Sequence, residues 1–75
     1  MKELVETIAK ALVNNPDAVV VTERVTDKET FLSLNVDPAD MGKVIGKQGR
    51  IAKAIRTVLK AQAIREDKRV TLDID

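Results

Sequence analysis

The spacing of apolar residues predicts an α+β fold, with one layer of helices packed on one face of a three-stranded mixed sheet. Three observations carry this expectation. Hydrophobic residues recur at helical intervals in three stretches and alternate in three others, in the order helix, strand, strand, helix, helix, strand. The chain has 75 residues, which is the size of a single two-layer domain, so residues 1–75 are expected to form one unit. The second and third strands, at 30–36 and 69–75, flank two helices, and that crossover length favours parallel, right-handed pairing.

Each element has its own signature. Residues 2–13 place Leu4, Val5, Ile8, Ala11 and Leu12 on one side of a helix and Lys2, Glu3, Glu6 and Lys10 on the other. Asn14-Asn15-Pro16 stops it. Ala18 to Thr26 is β-branched and strand-like, Asp27-Lys28-Glu29 is a polar turn, and Thr30 to Val36 alternates with Leu32, Leu34 and Val36 on one face, which makes a hairpin. The single serine, Ser33, falls on the outward face of that strand. Asp37-Pro38-Ala39-Asp40 opens a short helix: Asp37 can cap, Pro38 suits the first turn, and Asp40 favours the positive end of the dipole. Met41, Val44 and Ile45 form its apolar face, and Gly46 ends it. From Gly49 or Arg50 a longer helix runs to about Arg65, with Ile51, Ile55, Val58, Leu59 and Gln62 towards the core and Arg50, Lys53, Arg56 and Lys60 opposite. Glu66-Asp67-Lys68 turns the chain into a last strand with Val70, Leu72 and Ile74 inward.

Composition removes several function classes. A hydrophobic content of 44% supports a folded core. No apolar run approaches the roughly 20 residues needed to cross a bilayer. The N-terminal MKELVETIAK is amphipathic where a signal peptide would be basic and then apolar. A soluble, cytoplasmic protein without membrane attachment is expected. Cysteine, histidine, tyrosine and tryptophan are all absent, which strips away most acid-base, nucleophilic and metal-binding chemistry. No enzyme, cofactor, metal or small-molecule substrate is expected. The net charge of +1 conceals a segregation: residues 43–69 carry nine Lys or Arg against Glu66 and Asp67, a local +7, and the remainder of the chain sums to −6. Such asymmetry within one domain suits a polyanion.

All three glycines, Gly42, Gly46 and Gly49, lie within eight positions, interleaved with Lys43, Lys47 and Arg50. Only Lys47 and Gln48 separate Gly46 from Gly49, so the turn between the two helices is tight and its side chains point outward. Without β-carbons a phosphodiester chain can approach the main chain closely, and the N–H groups that open the next helix attract an anion. Lys47, Arg50 and Lys53 extend the basic surface. No acidic residue occurs from Met41 to Arg65 to neutralise it by i to i+4 pairing. A P-loop does not fit, because that pattern needs G-x-x-x-x-G-K-[ST], whereas Gly42 and Gly46 are four apart and Gln48 follows Lys47.

The run Val44-Ile45-Gly46-Lys47-Gln48-Gly49-Arg50-Ile51 resembles the GxxG signature of KH domains, which clamp about four nucleotides of single-stranded nucleic acid. The element order resembles the type II arrangement over essentially the whole chain, and GKVIGKQGRIAKAIRTVLKA is similar to the KhpA family of small stand-alone bacterial KH proteins. The resemblance implies a single-stranded RNA-binding protein, a bacterial post-transcriptional regulator or RNA chaperone. It implies binding through Lys43, Ile45, Gly46, Lys47, Gln48, Gly49, Arg50 and Lys53. With Phe31 the one aromatic residue, bases would rest on aliphatic side chains rather than stack on rings. Val36, Met41, Ile45 and Ile51 are the candidates for that floor, with Val36 and Ile51 expected in the core instead.

One such unit touches three or four phosphates and should bind weakly, so a second module is expected, either another copy or a larger KH-containing protein. A strip of small and apolar residues on the long helix, Ala54, Thr57, Val58, Ala61 and Ile64, is the candidate contact; the family resemblance implies a homodimer or that larger partner. A protein-interaction module and a single-stranded DNA binder are the alternatives.

Overall fold

The computed structural model describes residues 1–75. Helix α1 spans Lys2–Leu12 and is followed by strands β1, Val20–Val25, and β2, Glu29–Asn35. Two further helices, α2, Met41–Ile45, and α3, Arg50–Arg65, precede strand β3, Arg69–Ile74. The sheet order is β1-β2-β3. Strand β1 runs antiparallel to β2, with Val21 opposite Leu34, and β2 runs parallel to β3, with Leu32 opposite Leu72. The mixed sheet and element order are those expected.

The core lies between the sheet and the helices. Leu32 and Leu34 from β2, Val21 from β1 and Leu72 from β3 meet Val5, Ala9, Val44, Ile55 and Leu59 from the three helices. Leu34, Leu59, Val5 and Val44 are its largest fully buried side chains, and burial of each contributes about 1.5–3 kcal/mol. Val44 is the one buried residue of the five-residue α2 and anchors that helix to the domain. The other face of the sheet is open. There the Arg24 guanidinium lies 4.8 Å from the centre of the Phe31 ring, and the Ser33 hydroxyl donates to Asp75 Oδ2 at 2.9 Å.

The structure corrects the expected faces of both long helices. In α1, Ala9 is buried while Ala11 and Leu12 are exposed, and Val13 enters the core because it leaves the helix in an extended conformation. In α3, the buried row is Ala52, Ile55, Leu59 and Ala63, whereas Val58 is 46% exposed and Gln62 half-buried. The cause is common to both. Helix backbone approaches the sheet most closely where side chains are small, so alanines sit at the contact and larger residues flank it. Two boundaries also shift: Pro16–Ala18 forms a single 3-10 turn, so β1 begins at Val20 rather than Ala18, and Pro38–Asp40 forms another before α2.

Helix α3 ends without glycine. Lys68 N–H donates to Ala63 O at 2.8 Å and Asp67 N–H to Ile64 O at 3.1 Å, the Schellman pattern, with Asp67 at φ 56° in the left-handed position. This closure sets Lys68 and Arg69 at the start of β3.

Candidate nucleic-acid interface

The segment joining α2 to α3 is built from backbone that few residues adopt. Gly46 has φ 76° and ψ 174°, a region open essentially to glycine alone. Gln48, at φ 58°, and Gly49, at φ 74°, are both left-handed. The turn is fastened at each side, by Gly46 N–H to Gly42 O at 2.8 Å and by Gly49 N–H to Gly46 O at 3.1 Å.

The two hinge glycines do different work. A β-carbon on Gly46 would lie 2.5 Å from Ile51 Cγ1, so this glycine lets the Ile51 side chain plug the underside of the hinge. A β-carbon on Gly49 would meet nothing within 4 Å, and neither would one on Gly42. The main chain is thus bare at Gly49, whereas Gly46 serves packing within the fold. Lys47 and Gln48 are exposed at the tip, and no side chain caps the N-terminal turn of α3.

Behind the hinge, α2 is held by carboxylates. Asp37 Oδ1 accepts from Ala39 N–H at 3.0 Å, the cap the sequence predicts, and Asp37 Oδ2 accepts from the Asn15 side-chain amide at 3.3 Å. Asp40 is 3% exposed and accepts from the Asn15 backbone N–H at 3.0 Å. Burial pushes its carboxyl up, and the backbone N–H groups of Asn15 and Asn14 together with Lys43 outweigh that, holding it below its ordinary value. Asp40 thus ties the chain after α1 to the start of the hinge helix. Sequence reasoning saw only a dipole effect, because the partner lies 25 residues away.

The expected binding residues lie in the hinge and in the helical turns that flank it. Lys47, Arg50 and Lys53 are exposed and take part in none of the ion pairs of the domain. Lys43 differs: its Nζ lies 3.4 Å from Asp40 Oδ1, so an acidic partner three residues earlier partly neutralises it. Ile45 and Met41 are half-buried beside the core, Val36 is buried, and Ile51 is packed under Gly46.

From the hinge, the basic flank of α3 turns towards β3. Arg69 donates its N–H to Lys28 O in the turn just before β2, and Asp75 donates to Leu34 O within β2, both at 2.9 Å. Alternation along the strand therefore turns the N–H and C=O groups of Val70, Leu72 and Ile74 to the open edge of the sheet. Arg56 covers one of them, donating from Nε at 3.3 Å and Nη2 at 3.2 Å to Leu72 O. Between α3 and this edge runs a groove of about 640 Å³ whose walls include Leu59, Lys60, Ala63 and Val70. The sequence placed Arg56 and Lys60 on the basic face, but their position over a strand edge required the crossover to be folded.

The family description "KhpA/KhpB, KH domain" matches residues 2–74. The chain belongs to the KhpA/KhpB KH-domain family. It is 62% identical over 74 residues to the RNA-binding protein KhpA of Clostridium acetobutylicum, covering 99% of each chain. It shares 62% identity with RNA-binding protein KhpA of Caldanaerobacter subterraneus subsp. tengcongensis, again covering 99% of each chain. With RNA-binding protein KhpA of Aquifex aeolicus it shares 54%, covering 99% of this chain and 94% of that protein. No solved structure gives a significant match. In KH-domain terms, Gly46-Lys47-Gln48-Gly49 is the GxxG loop, and the residues that the resemblance implied for binding occupy α2, this loop and the first turn of α3. No helix is long and apolar enough to cross a membrane.

Proposed function

We propose that this KH domain binds single-stranded RNA, laying about four nucleotides across the hinge and into the hinge-side end of the groove between α3 and β3, no further than Arg56. The observation that carries this reading is the hinge itself: left-handed backbone open at Gly49, a helix start with no side-chain cap, and the exposed, unpaired cations Lys47, Arg50 and Lys53 in the hinge and the turn after it. The sugar-phosphate chain follows Gly46 to Gly49, with Lys43, Arg50 and Lys53 alongside. Bases lean on Ile45 and present their edges to the open polar groups of β3. The one aromatic ring sits on the opposite face of the sheet under Arg24, which favours aliphatic support over ring stacking.

The protein acts as a non-enzymatic RNA chaperone or post-transcriptional regulator of the bacterial cytoplasm. Three neutralised phosphates give a log-log salt slope of roughly −2 on a single strand. Titration of labelled RNA and DNA of one sequence between 50 mM and 500 mM salt tests this. RNA binding with that slope supports the reading; salt-independent binding, or preference for DNA, overturns it.

Weak single-site binding is reinforced by a second KH module, another copy of this chain or a larger KH-containing protein, docked on the exposed flank of α3. Ala54, Thr57, Val58, Ala61 and Ile64 all lie exposed there, Ile64 at 68%. Ala61→Glu should convert a dimeric parent to monomer in sedimentation; a monomeric parent, or an unchanged dimer, removes this strip from the interface.

A further inference from the structure

At the end of the α3–β3 groove away from the hinge, two turns are stitched together. The Arg69 N–H donates to Lys28 O at 2.9 Å, which joins the β1–β2 turn to the start of β3. A second depression lined by Lys28, Lys68 and Arg69 opens there and shares Ile64, Lys68 and Arg69 with the groove. None of these three cations belongs to an ion pair of the domain. Asp67 and Glu29 are the carboxylates on the walls, so cations outnumber them.

We infer that Lys28, Lys68 and Arg69 form a second anion anchor, holding phosphates of the same RNA strand beyond those held at the hinge. This rests on the hinge reading given above. Two observations choose a continuing strand as the occupant. The first is charge: an acceptor-rich polyanion complements unpaired Lys and Arg, and phosphate contacts of this kind position a strand without reading its sequence. The second is continuity, because Lys53, Arg56 and Lys60 step along α3 from the hinge to the groove, and the groove runs on into the lysine cluster. From Arg50 to Ile64 the helix advances about 21 Å at about 1.5 Å per residue, so the cluster is a separate point of attachment. Strands longer than the hinge footprint therefore gain affinity without any new base contact.

The test compares a tetranucleotide, followed by nuclear magnetic resonance, with a labelled 12-nucleotide RNA, followed by anisotropy. The triple variant Lys28→Gln, Lys68→Gln, Arg69→Gln leaves the stitching hydrogen bond intact, since that bond is backbone to backbone. With two phosphates released, the 12-mer should lose about 1.4 from its log-log salt slope, or about 25-fold in affinity at 0.1 M salt counted from the 1 M extrapolation. Tetranucleotide binding should stay within about twofold of the parent. Asp67→Asn, which keeps a residue tolerant of left-handed backbone, should tighten the 12-mer by about two- to fivefold. An unchanged 12-mer affinity in the folded triple variant, with hinge substitutions still harmful, overturns this inference alone. Equal losses on both lengths also overturn it. A parent that binds neither length brings down the hinge reading with it.

Discussion

Replacing Lys47 and Gln48 together by Asp reverses the charge at the hinge while leaving both of its glycines in place. The side chains are exposed, and the pair goes from +1 to −2. The backbone tolerates the change: Gln48 sits at φ 58°, where Asp and Asn are enriched over other non-glycine residues. Losing one neutralised phosphate costs about 0.7 of a decade at 0.1 M salt, roughly fivefold. Two new carboxylates about 4 Å from phosphate oxygens each cost about 1 kcal/mol in water, together another thirtyfold or so. Affinity for a 12-nucleotide RNA should therefore fall about 150-fold at 0.1 M salt. The difference should shrink as salt approaches 1 M, where the screening length is about 3 Å. Fluorescence anisotropy over a salt series measures this, with circular dichroism and a thermal melt beside it to establish folding. A folded double variant that binds as tightly as the parent would refute the assignment of the phosphate path to Gly46-Lys47-Gln48-Gly49.

The remaining predictions concern how the hinge is held. Gly46→Ala must find room for a methyl group 2.5 Å from Ile51 Cγ1 at φ 76°, so it should destabilise the domain by about 2–3 kcal/mol and lower the melting temperature by roughly 10–20 °C. Gly42→Ala, with open space around it in α2, should instead raise stability by about 0.5 kcal/mol; a loss at Gly42 equal to that at Gly46 would show that the contact with Ile51 is not the cause. Asp40 has a folded-state pKa below its ordinary 3.8, so its contribution is complete above that value and lost as pH falls through the lower folded value. Asp40→Asn should therefore destabilise the domain at pH 7 and flatten the decline of stability below about pH 4, read from denaturant melts at stepped pH; an acid limb as steep as the parent's would assign the decline to other carboxylates.

Much of this was legible in the chain. Local rules sufficed wherever cause and effect lie within a turn or two: Asp37 caps its own 3-10 turn, Leu32 and Leu34 alternate into the core, and Gly46 and Gly49 mark a tight hinge between amphipathic helices. The helix faces were less legible. Ala9, Ala52 and Ala63 outrank Leu12 and Val58 in burial, since depth in the core depends on how near a backbone comes to the sheet, and hydropathy does not encode that distance.

By itself the sequence determined the element order, the glycine-flanked hinge and the bias of charge towards residues 43–69, because periodicity, turn chemistry and charge are properties of neighbours along the chain. Only the tertiary structure decided that Asp40 is a buried latch to Asn15, that Ile51 fills the space under Gly46, and that Arg56 spans to Leu72 O. It also decided that Lys28 joins Lys68 and Arg69. These arrangements depend on the parallel crossover and on hydrogen bonds such as Arg69 to Lys28, which bring together residues tens of positions apart, and no local pattern along a chain records which distant segments will meet.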